Sequence, residues 1–347
     1  MFEPFAPAID AFAKRLAGNY REVFGKAEPD HAHLLRATAK LALECIAATD
    51  APYHDALHTL AVAEVGQAIL RGRAMVEPVS RECWLHLTVA TLLHDVGYLR
   101  GICPGDGNGR YVVDAAGDTV AAPRGATDAF LAPWHVERAK VFVRRRCAAV
   151  PALDVERLCR AIELTRFPVP EDGDHAETET EAGLVRAADL VGQLADPAYP
   201  RKLAALYHEL RETGVAERLG YRDPADLAEQ YPRFFWGKVE PYVGPALGHL
   251  GRTAAGRAWV WRSSTRTCSW RSTCGTGSGR SGAWPPAAAS CGWSRPPGRA
   301  TPAYGSEPWI PAAHGRTLFS RHHEKRPGPP ALPGGAPTRL DRAGPGG

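Results

Sequence analysis

Histidine and aspartate residues interrupt segments of this chain that are otherwise apolar. His54 and His58 stand four residues apart, a spacing that places two side chains on one face of a helix. His94 and Asp95 close the apolar run VATLLHDVGY, and Asp189 lies in GLVRAADLVGQLAD, where other charges are few. Because an unpaired carboxylate or imidazolium is costly to bury, these side chains are expected to pair with one another or to bind a cation.

Two imidazoles and two carboxylates form a ligand set of nitrogen and oxygen atoms. Such a set suits Mn²⁺, Fe²⁺, Zn²⁺ or Mg²⁺, whereas softer ions prefer thiolates. The sequence therefore predicts a centre for one or two divalent metal ions. A single histidine on an apolar helix face is more often a hydrogen-bonded residue of the core. The prediction thus depends on the ordered set His58, His94-Asp95 and Asp189, and not on any one member.

Helices must position these residues, because apolar side chains recur at helical spacing through the first 220 residues. The pattern predicts helices over 31–48, 55–72, 78–95, 134–147, 153–165, 180–195 and 200–217, with Asp30 capping the first. Strand-like alternation is confined to 110–121, which predicts a small hairpin turning at Ala116-Gly117. This hairpin lies in a Gly-rich insertion near 97–132, long enough to act as a lid over a site. The predicted fold class is all-α.

The order of these residues resembles the HD-domain superfamily of metal-dependent phosphohydrolases. The segment YHDALHT (53–59), followed by Val62, is similar to the YHNxxHAxDV motif of cyclic-nucleotide phosphodiesterases. LLHDVGY (92–98) resembles the HD motif itself, and AADLVGQ (187–193) resembles the late helix that supplies the last aspartate. The resemblance spans roughly residues 30–215 and implies an HD-domain-like helical bundle with the metal in a pocket between helices.

The resemblance also implies a role for each polar side chain. Four residues would ligate the first metal: His58, His94, Asp95 and Asp189. Asp95 would bridge to a second ion and so take part in catalysis. His54 matches the phosphodiesterase histidine that protonates the leaving oxygen, the alternative being a structural histidine. His135 resembles a later histidine near the second metal, whereas Thr165 stands where some binuclear members carry a further ligand.

Substrate binding calls for cations close to the non-bridging phosphoryl oxygens. The candidates are Arg138, Arg166, Arg201 and Lys202, and the alternative for each is a solvated surface charge. Gln193, one helical turn after Asp189, is a candidate for contact with a substrate base, and the alternative is an ordinary polar residue of a helix.

The implied function is hydrolysis of a phosphoester, either a phosphodiester or a nucleotide, by metal-activated water. The partner would then be a small phosphorylated or nucleotide substrate, and the oligomeric state stays open. The alternative is a catalytically degenerate HD domain that acts as a regulatory module binding a metal or a nucleotide. Residues 1–250, called the body below, contain neither GxxxxGK[ST] nor GxGxxG, so P-loop and Rossmann nucleotide sites are not supported.

The composition divides the chain into residues 1–250 and a tail over 251–347. The tail contains 14 Lys and Arg against 3 Asp and Glu, and 29 of its 97 residues are Gly or Pro. This bias is typical of low-complexity, disordered segments. Two other interpretations are an Arg-rich arm for nucleic acid and a reading-frame shift near residue 260.

The composition of the body excludes several classes of protein. With 28 basic and 35 acidic residues, residues 1–250 carry a net charge of −7, which argues against nucleic acid as a partner. No run of 18 apolar residues occurs, so membrane spans are not predicted. The body holds five cysteines, an odd number without metal-binding spacing, which favours reduced thiols and a cytoplasmic location.

Overall fold

The structure, a computed structural model, describes residues 6–25 and 29–273. These residues belong to one structural unit of the chain, and the second unit, His314–Gly347, lies outside the described residues. The helices are α1 (Ala6–Phe24), α2 (Pro29–Ile46), α3 (Ala56–Arg73), α4 (Arg81–Leu93), α5 (His135–Cys147), α6 (Val155–Glu163), α7 (Glu181–Ala195), α8 (Tyr199–Glu212), α9 (Val215–Arg218), α10 (Pro224–Phe234), α11 (Glu240–Leu250) and α12 (Ala254–Thr273). Short 3₁₀ turns cover Val96–Tyr98, Asp128–Trp134 and Gly173–His175, and a π-helical turn covers Phe235–Val239.

The predicted all-α class is confirmed, and so is the small hairpin in the Gly-rich insertion. Strand β1 (Arg110–Val112) pairs antiparallel with β2 (Thr119–Ala121), so that Arg110 lies opposite Ala121. No other strand occurs within the two described ranges. Among the described residues, no helix is both long and apolar enough to cross a membrane.

Every predicted helix differs from the observed one by one to three residues at one end or both, and the last is divided in two. Helix α2 begins at Pro29, so Asp30 lies in its first turn and is not the N-cap. Helix α3 begins at Ala56 because the carboxylate of Asp55 accepts the backbone N–H of His58, which is N-cap geometry. The helix predicted over 200–217 is divided into α8 and α9 by Gly214, whose φ of 69° is left-handed.

Helix α3 lies at the centre of the fold, in contact with α4, α7 and α11. Its approach to α7 is close because Gly192 has no side chain. A Cβ atom there would lie 3.0 Å from Val62 Cγ2 and 3.1 Å from Val62 Cα. Close approach of the two helices brings the side chains of His58 on α3 and Asp189 on α7 within contact distance, as described below.

Arg138 on α5 anchors the insertion at its centre. Its guanidinium is fully buried and donates to the carbonyl oxygens of Gly97 at 2.7 Å, Leu99 at 2.6 Å and Val112. The same group donates to both carboxylate oxygens of Asp106, at 2.9 and 3.3 Å. These contacts use the whole planar fork of the guanidinium on the protein itself.

The helical body continues beyond residue 250, where the composition predicts a boundary. Helix α12 packs against α7, α11 and α3. Trp259 and Val260 contact the apolar core, and Ser263 is fully buried. Residues 274–347, the remainder of the predicted low-complexity tail, lie outside the described residues.

Candidate metal centre and adjoining cavity

The four predicted metal ligands come from three different helical elements. His58 lies in the first turn of α3, Asp189 lies in the middle of α7, and His94-Asp95 follows directly after α4. Beyond Asp95 the chain turns sharply at Gly97, where a Cβ atom would lie 1.8 Å from the carbonyl oxygen of His135. Glycine is therefore required at this position for α5 to pack against the His94-Asp95 turn.

The structure brings these four side chains together. His58 Nε2 lies 3.1 Å from Asp189 Oδ1 and 3.4 Å from Asp95 Oδ2. His94 Nε2 lies 3.1 Å from Asp95 Oδ2 and 3.7 Å from Asp189 Oδ1. The side chains of His58, His94 and Asp95 are at most 6% exposed and that of Asp189 is 19% exposed, so the cluster lies at the base of an opening.

The donor set fits a divalent cation. One donor atom each from His58, His94 and Asp95 lies within 4.8 Å of the others. Within the described part of the chain, His94 Nε2 and Asp95 Oδ2 are buried and, although they lie 3.1 Å apart, neither forms a hydrogen bond to the other or to a third group. His94 Nδ1 donates to the carbonyl oxygen of Thr91 at 2.9 Å, which directs the Nε2 lone pair into the cluster. Buried polar atoms rarely stay unpaired, and a cation between these two would satisfy both.

The electrostatics of the cluster favour positive charge at its centre. Burial lowers the pKa of His58, but the carboxylates of Asp189 and Asp95 outweigh it and raise that pKa to about 9. Burial raises the pKa values of Asp95 and Asp189, but the two imidazoles outweigh it and hold both well below the usual range. A proton and a metal ion therefore compete for the same nitrogen and oxygen atoms.

His54 lies beside the cluster, in the turn that precedes α3. It does not share the helix with His58 as the spacing predicts, because Asp55 caps α3 one residue later. Its Nδ1 lies 2.6 Å from Oε2 of Glu209 on α8, while Glu209 Oε1 accepts the backbone N–H groups of Tyr53 and His54 at 2.6 and 3.1 Å. Burial lowers the pKa of His54, but the Glu209 carboxylate outweighs it and raises that pKa.

Glu209 is a site residue that the sequence does not predict. Its side chain is 3% exposed, although it stands in YHELRE, which is typical of a solvated helix face. A glutamate on a helix is exposed by default, and no neighbouring motif in this sequence marks Glu209 as different. The only available signal of its burial is its place near two leucines: Glu209 is three residues after Leu206 and directly precedes Leu210.

A stack of three rings connects His54 with His135. The Tyr98 ring is stacked with the ring of His54, and the two centroids are 4.2 Å apart. The same Tyr98 ring is stacked with the ring of His135, with centroids 4.7 Å apart. Tyr98 Oη lies 3.4 Å from His54 Nε2. His135 Nδ1 donates to the carbonyl oxygen of Ala132 at 2.6 Å, and burial lowers the pKa of this imidazole to about 4. His135 is thus neutral and lies outside the group of three converging donors found among the described residues.

A cavity of about 150 Å³ opens from the cluster into the space between α7, α8 and α10. Its polar end consists of His54, Asp95, Tyr98, His135 and Asp189, with Glu209 behind His54. Its other walls are mostly apolar, with leucines from all three helices. No lysine or arginine lines it among the residues that the structure describes.

The basic residues predicted to bind substrate lie elsewhere. Arg138 is buried in the contacts to the insertion described above, and this burial removes it from the cavity. Arg166 forms ion pairs with Glu163 and Glu137, both at 2.5 Å. Lys202 lies 3.0 Å from Asp196 and 3.6 Å from Asp55.

Two uncharged residues considered in the sequence do line the cavity. Gln193 Nε2 donates to Tyr199 Oη at 2.5 Å, so the amide faces the cavity from one turn beyond Asp189. Thr165 is buried at the wall, and its hydroxyl donates to the carbonyl oxygen of Ile162 at 2.8 Å.

Comparison with known proteins identifies one family. No curated protein and no solved structure matches the chain. The family model described as Npun_R2479-like matches residues 2–266, about three quarters of the sequence. The match covers every residue of the cluster and of the cavity and ends within α12. The chain therefore belongs to the Npun_R2479-like family.

Proposed function

We propose that this protein is a metal-dependent hydrolase of phosphoesters with an HD-domain-like site. The observation that carries the proposal is the convergence of His58, His94 and Asp95, with Asp189 within 3.7 Å of both imidazoles and two buried atoms that form no hydrogen bond among the described residues. The resemblance of the ordered set His58, His94-Asp95, Asp189 to HD-domain phosphohydrolases supports it. Mn²⁺, Fe²⁺, Zn²⁺ and Mg²⁺ are the ions that suit these ligands.

The four ligands would hold the ion at the polar end of the cavity. A divalent ion bound there would lower the pKa of a water molecule and withdraw charge from phosphoryl oxygens. Asp95 and Asp189 would supply two negative charges to hold the ion, and the hydrogen bond from His94 to Thr91 fixes its imidazole in the orientation for ligation.

His54 is the proposed proton donor to the leaving oxygen. Its Nδ1 is paired with Glu209, so Nε2 is the nitrogen that can give up a proton towards the cavity. The carboxylate stabilises the imidazolium form and fixes the ring by its three contacts to residues 53 and 54. Leaving alkoxides are strong bases, so a positioned acid accelerates their departure.

The pair of His54 and Glu209 favours an enzyme over a regulatory module. A domain that only bound a metal or a nucleotide would need no charged donor directed at the cavity, whereas hydrolysis does.

The described cysteines are free thiols: Cys45, Cys83, Cys103, Cys147 and Cys159. We infer a cytoplasmic enzyme on that basis.

The experiment compares His54→Gln with the native chain on two substrates. On an alkyl phosphoester, turnover should fall about 10²–10⁴-fold, the range for loss of a general acid. On a nitrophenyl ester, whose leaving group needs no proton, turnover should change little. Bound metal, measured by elemental analysis, should stay at the native level because His54 is not a ligand.

His86→Gln is the matched control. His86 is a buried histidine whose Nδ1 donates to Glu82 O at 2.7 Å and whose Nε2 accepts from Asp154 N at 2.8 Å, and it does not line the cavity. This variant should be less stable but should treat both substrates alike. Equal loss on both substrates in His54→Gln, with metal still bound, would remove His54 from the mechanism.

A further inference from the structure

Three helices give the cavity an apolar wall. Leu190 and Leu194 on α7 and Leu206 and Leu210 on α8 are spaced four residues apart, so each pair presents one face to the cavity. Leu227 on α10 closes the third side. Such walls favour an apolar group, because each buried methylene contributes about 0.8 kcal/mol.

Charged groups are confined to the end of the cavity that carries the cluster. The lining side chains with charge or titratable nitrogen are His54, Asp95, His135, Asp189 and Glu209, and none in the described ranges is a lysine or arginine. The neighbouring cations Arg166 and Lys202 are paired with carboxylates. A second phosphate on the substrate would therefore be desolvated without a counter-charge.

The charge of the polar end also limits the phosphoryl group. One divalent ion with the carboxylates of Asp95 and Asp189 is neutral, and the His54 imidazolium with Glu209 is neutral as well. A site without excess positive charge favours a phosphodiester, with one negative charge, over a monoester with nearly two.

The size of the cavity sets the size of the group. An enclosed apolar cavity of about 150 Å³, the volume of this cavity with its polar end included, holds a molecule such as benzene, so about six carbon atoms is the upper limit for an apolar group here. We propose that this cavity binds an uncharged alkyl or aryl group of up to about six carbon atoms, and that the substrate is a singly charged phosphodiester of a hydrophobic alcohol. The phosphodiester part rests on the proposed function, whereas the binding of the apolar group does not.

The test measures affinity along a series of n-alkyl methylphosphonates, from ethyl to octyl, with the full chain in the presence of Mn²⁺. These probes carry one charge and resist hydrolysis, so calorimetry reports binding alone. Each methylene should tighten binding about fourfold up to about six carbons, and longer chains should gain little. A flat series, or a 5′-mononucleotide or cyclic mononucleotide that binds more tightly than the hexyl probe, would overturn the proposal.

A second arm uses chelator-treated protein and the alcohols from 1-butanol to 1-octanol. The same dependence on chain length should persist there, because the apolar wall does not involve the metal. Chain-length dependence without any hydrolysis of alkyl phosphodiesters would contradict the proposed function and the phosphodiester substrate, and would leave the binding of the apolar group intact. Hydrolysis without chain-length dependence would do the reverse.

Leu210→Phe is the variant that reduces the cavity, and Leu219→Phe is its control. Leu210 is half-buried and lines the cavity, whereas Leu219 is half-buried against the core outside it. Leu210→Phe should weaken the hexyl probe at least about tenfold and leave the ethyl probe unchanged. Leu219→Phe should affect neither probe. If Leu210→Phe does not fold, the chain-length series on the native protein decides the matter.

Discussion

Replacement of Glu209 by Gln tests the site at the residue that only the structure identifies. The amide oxygen of glutamine can still accept the backbone N–H groups of Tyr53 and His54, which Glu209 accepts at 2.6 and 3.1 Å. The change removes the negative charge that lies 2.6 Å from His54 Nδ1. The variant therefore isolates electrostatic support of the imidazolium from support of the fold.

The magnitude follows from the pKa of His54. Burial lowers this pKa, and in the native protein the Glu209 carboxylate outweighs burial and raises it. An opposite charge at hydrogen-bond distance is worth about 1–3 pH units, so the pKa should fall by about that amount without it. A proton donor is active below its own pKa and inactive above it. The basic limb of the pH–rate profile for an alkyl phosphoester should thus move about 1–3 pH units lower.

Two measurements check this result. NMR titration of the imidazole in chelator-treated protein gives the pKa of His54 directly, and kcat/KM against pH gives the limb. Glu212→Gln is the matched control, because Glu212 is on the same helix and accepts from the backbone and hydroxyl of Thr127, at 2.8 and 2.6 Å, without contacting His54. A basic limb that stays in place in Glu209→Gln, or moves equally in Glu212→Gln, would refute the role assigned to Glu209.

Three further predictions concern the metal, an ion pair and the tail. Asp95→Ala should abolish metal binding, well beyond the 10–100-fold loss expected for a residue that only supports a ligand, and unchanged metal in elemental analysis would end the metal hypothesis. Burial raises the pKa of Glu163, but Arg166 and Lys140 outweigh it and lower that pKa from 4.5 to about 2. This pairing stabilises the fold above pH 4.5, and the stabilisation is lost as the pH falls towards 2. In denaturant titrations, Glu163→Gln should therefore lower the free energy of unfolding by at most about 3 kcal/mol at pH 7 and leave it unchanged near pH 2. A loss that does not depend on pH would contradict the pairing. A chain ending at residue 273 should have a melting temperature within about 2 °C of that of the full chain. A chain ending at residue 250 lacks α12, and its melting temperature should be at least about 5 °C lower. Equal melting temperatures of the two shortened chains would show that α12 adds no stability.

The sequence predicts the helices from α2 to α9 and the members of the cluster, since both depend on local pattern, whereas α1, α10, α11 and α12 lie outside the predicted helices. Apolar periodicity fixes the course of α3, α4 and α7 within a few residues. The polar residues that interrupt those helices are few, so His58, His94, Asp95 and Asp189 stand out from the apolar positions around them.

The partner of His54 could not be predicted, because Glu209 is 155 residues away and its burial depends on how α8 packs. The environment of Arg138 could not be predicted from the sequence either. Its sequence surroundings, HVERAKVFV, resemble a solvated helix face and suggested a substrate cation, yet the guanidinium is buried against carbonyl oxygens of a distant loop. Neither environment leaves a periodic signal, since each is created by contacts between segments that are remote in the sequence.

Burial of the Arg138 guanidinium has a consequence for how the molecule opens. If the insertion moved away from α5, it would break five hydrogen bonds to a charged group and separate the buried pair of Arg138 and Asp106, which costs several kcal/mol. The insertion and α5 should therefore unfold as one cooperative unit, and the amide of Val112, which donates to Asp106 at 2.8 Å, should exchange with solvent as slowly as amides of α5.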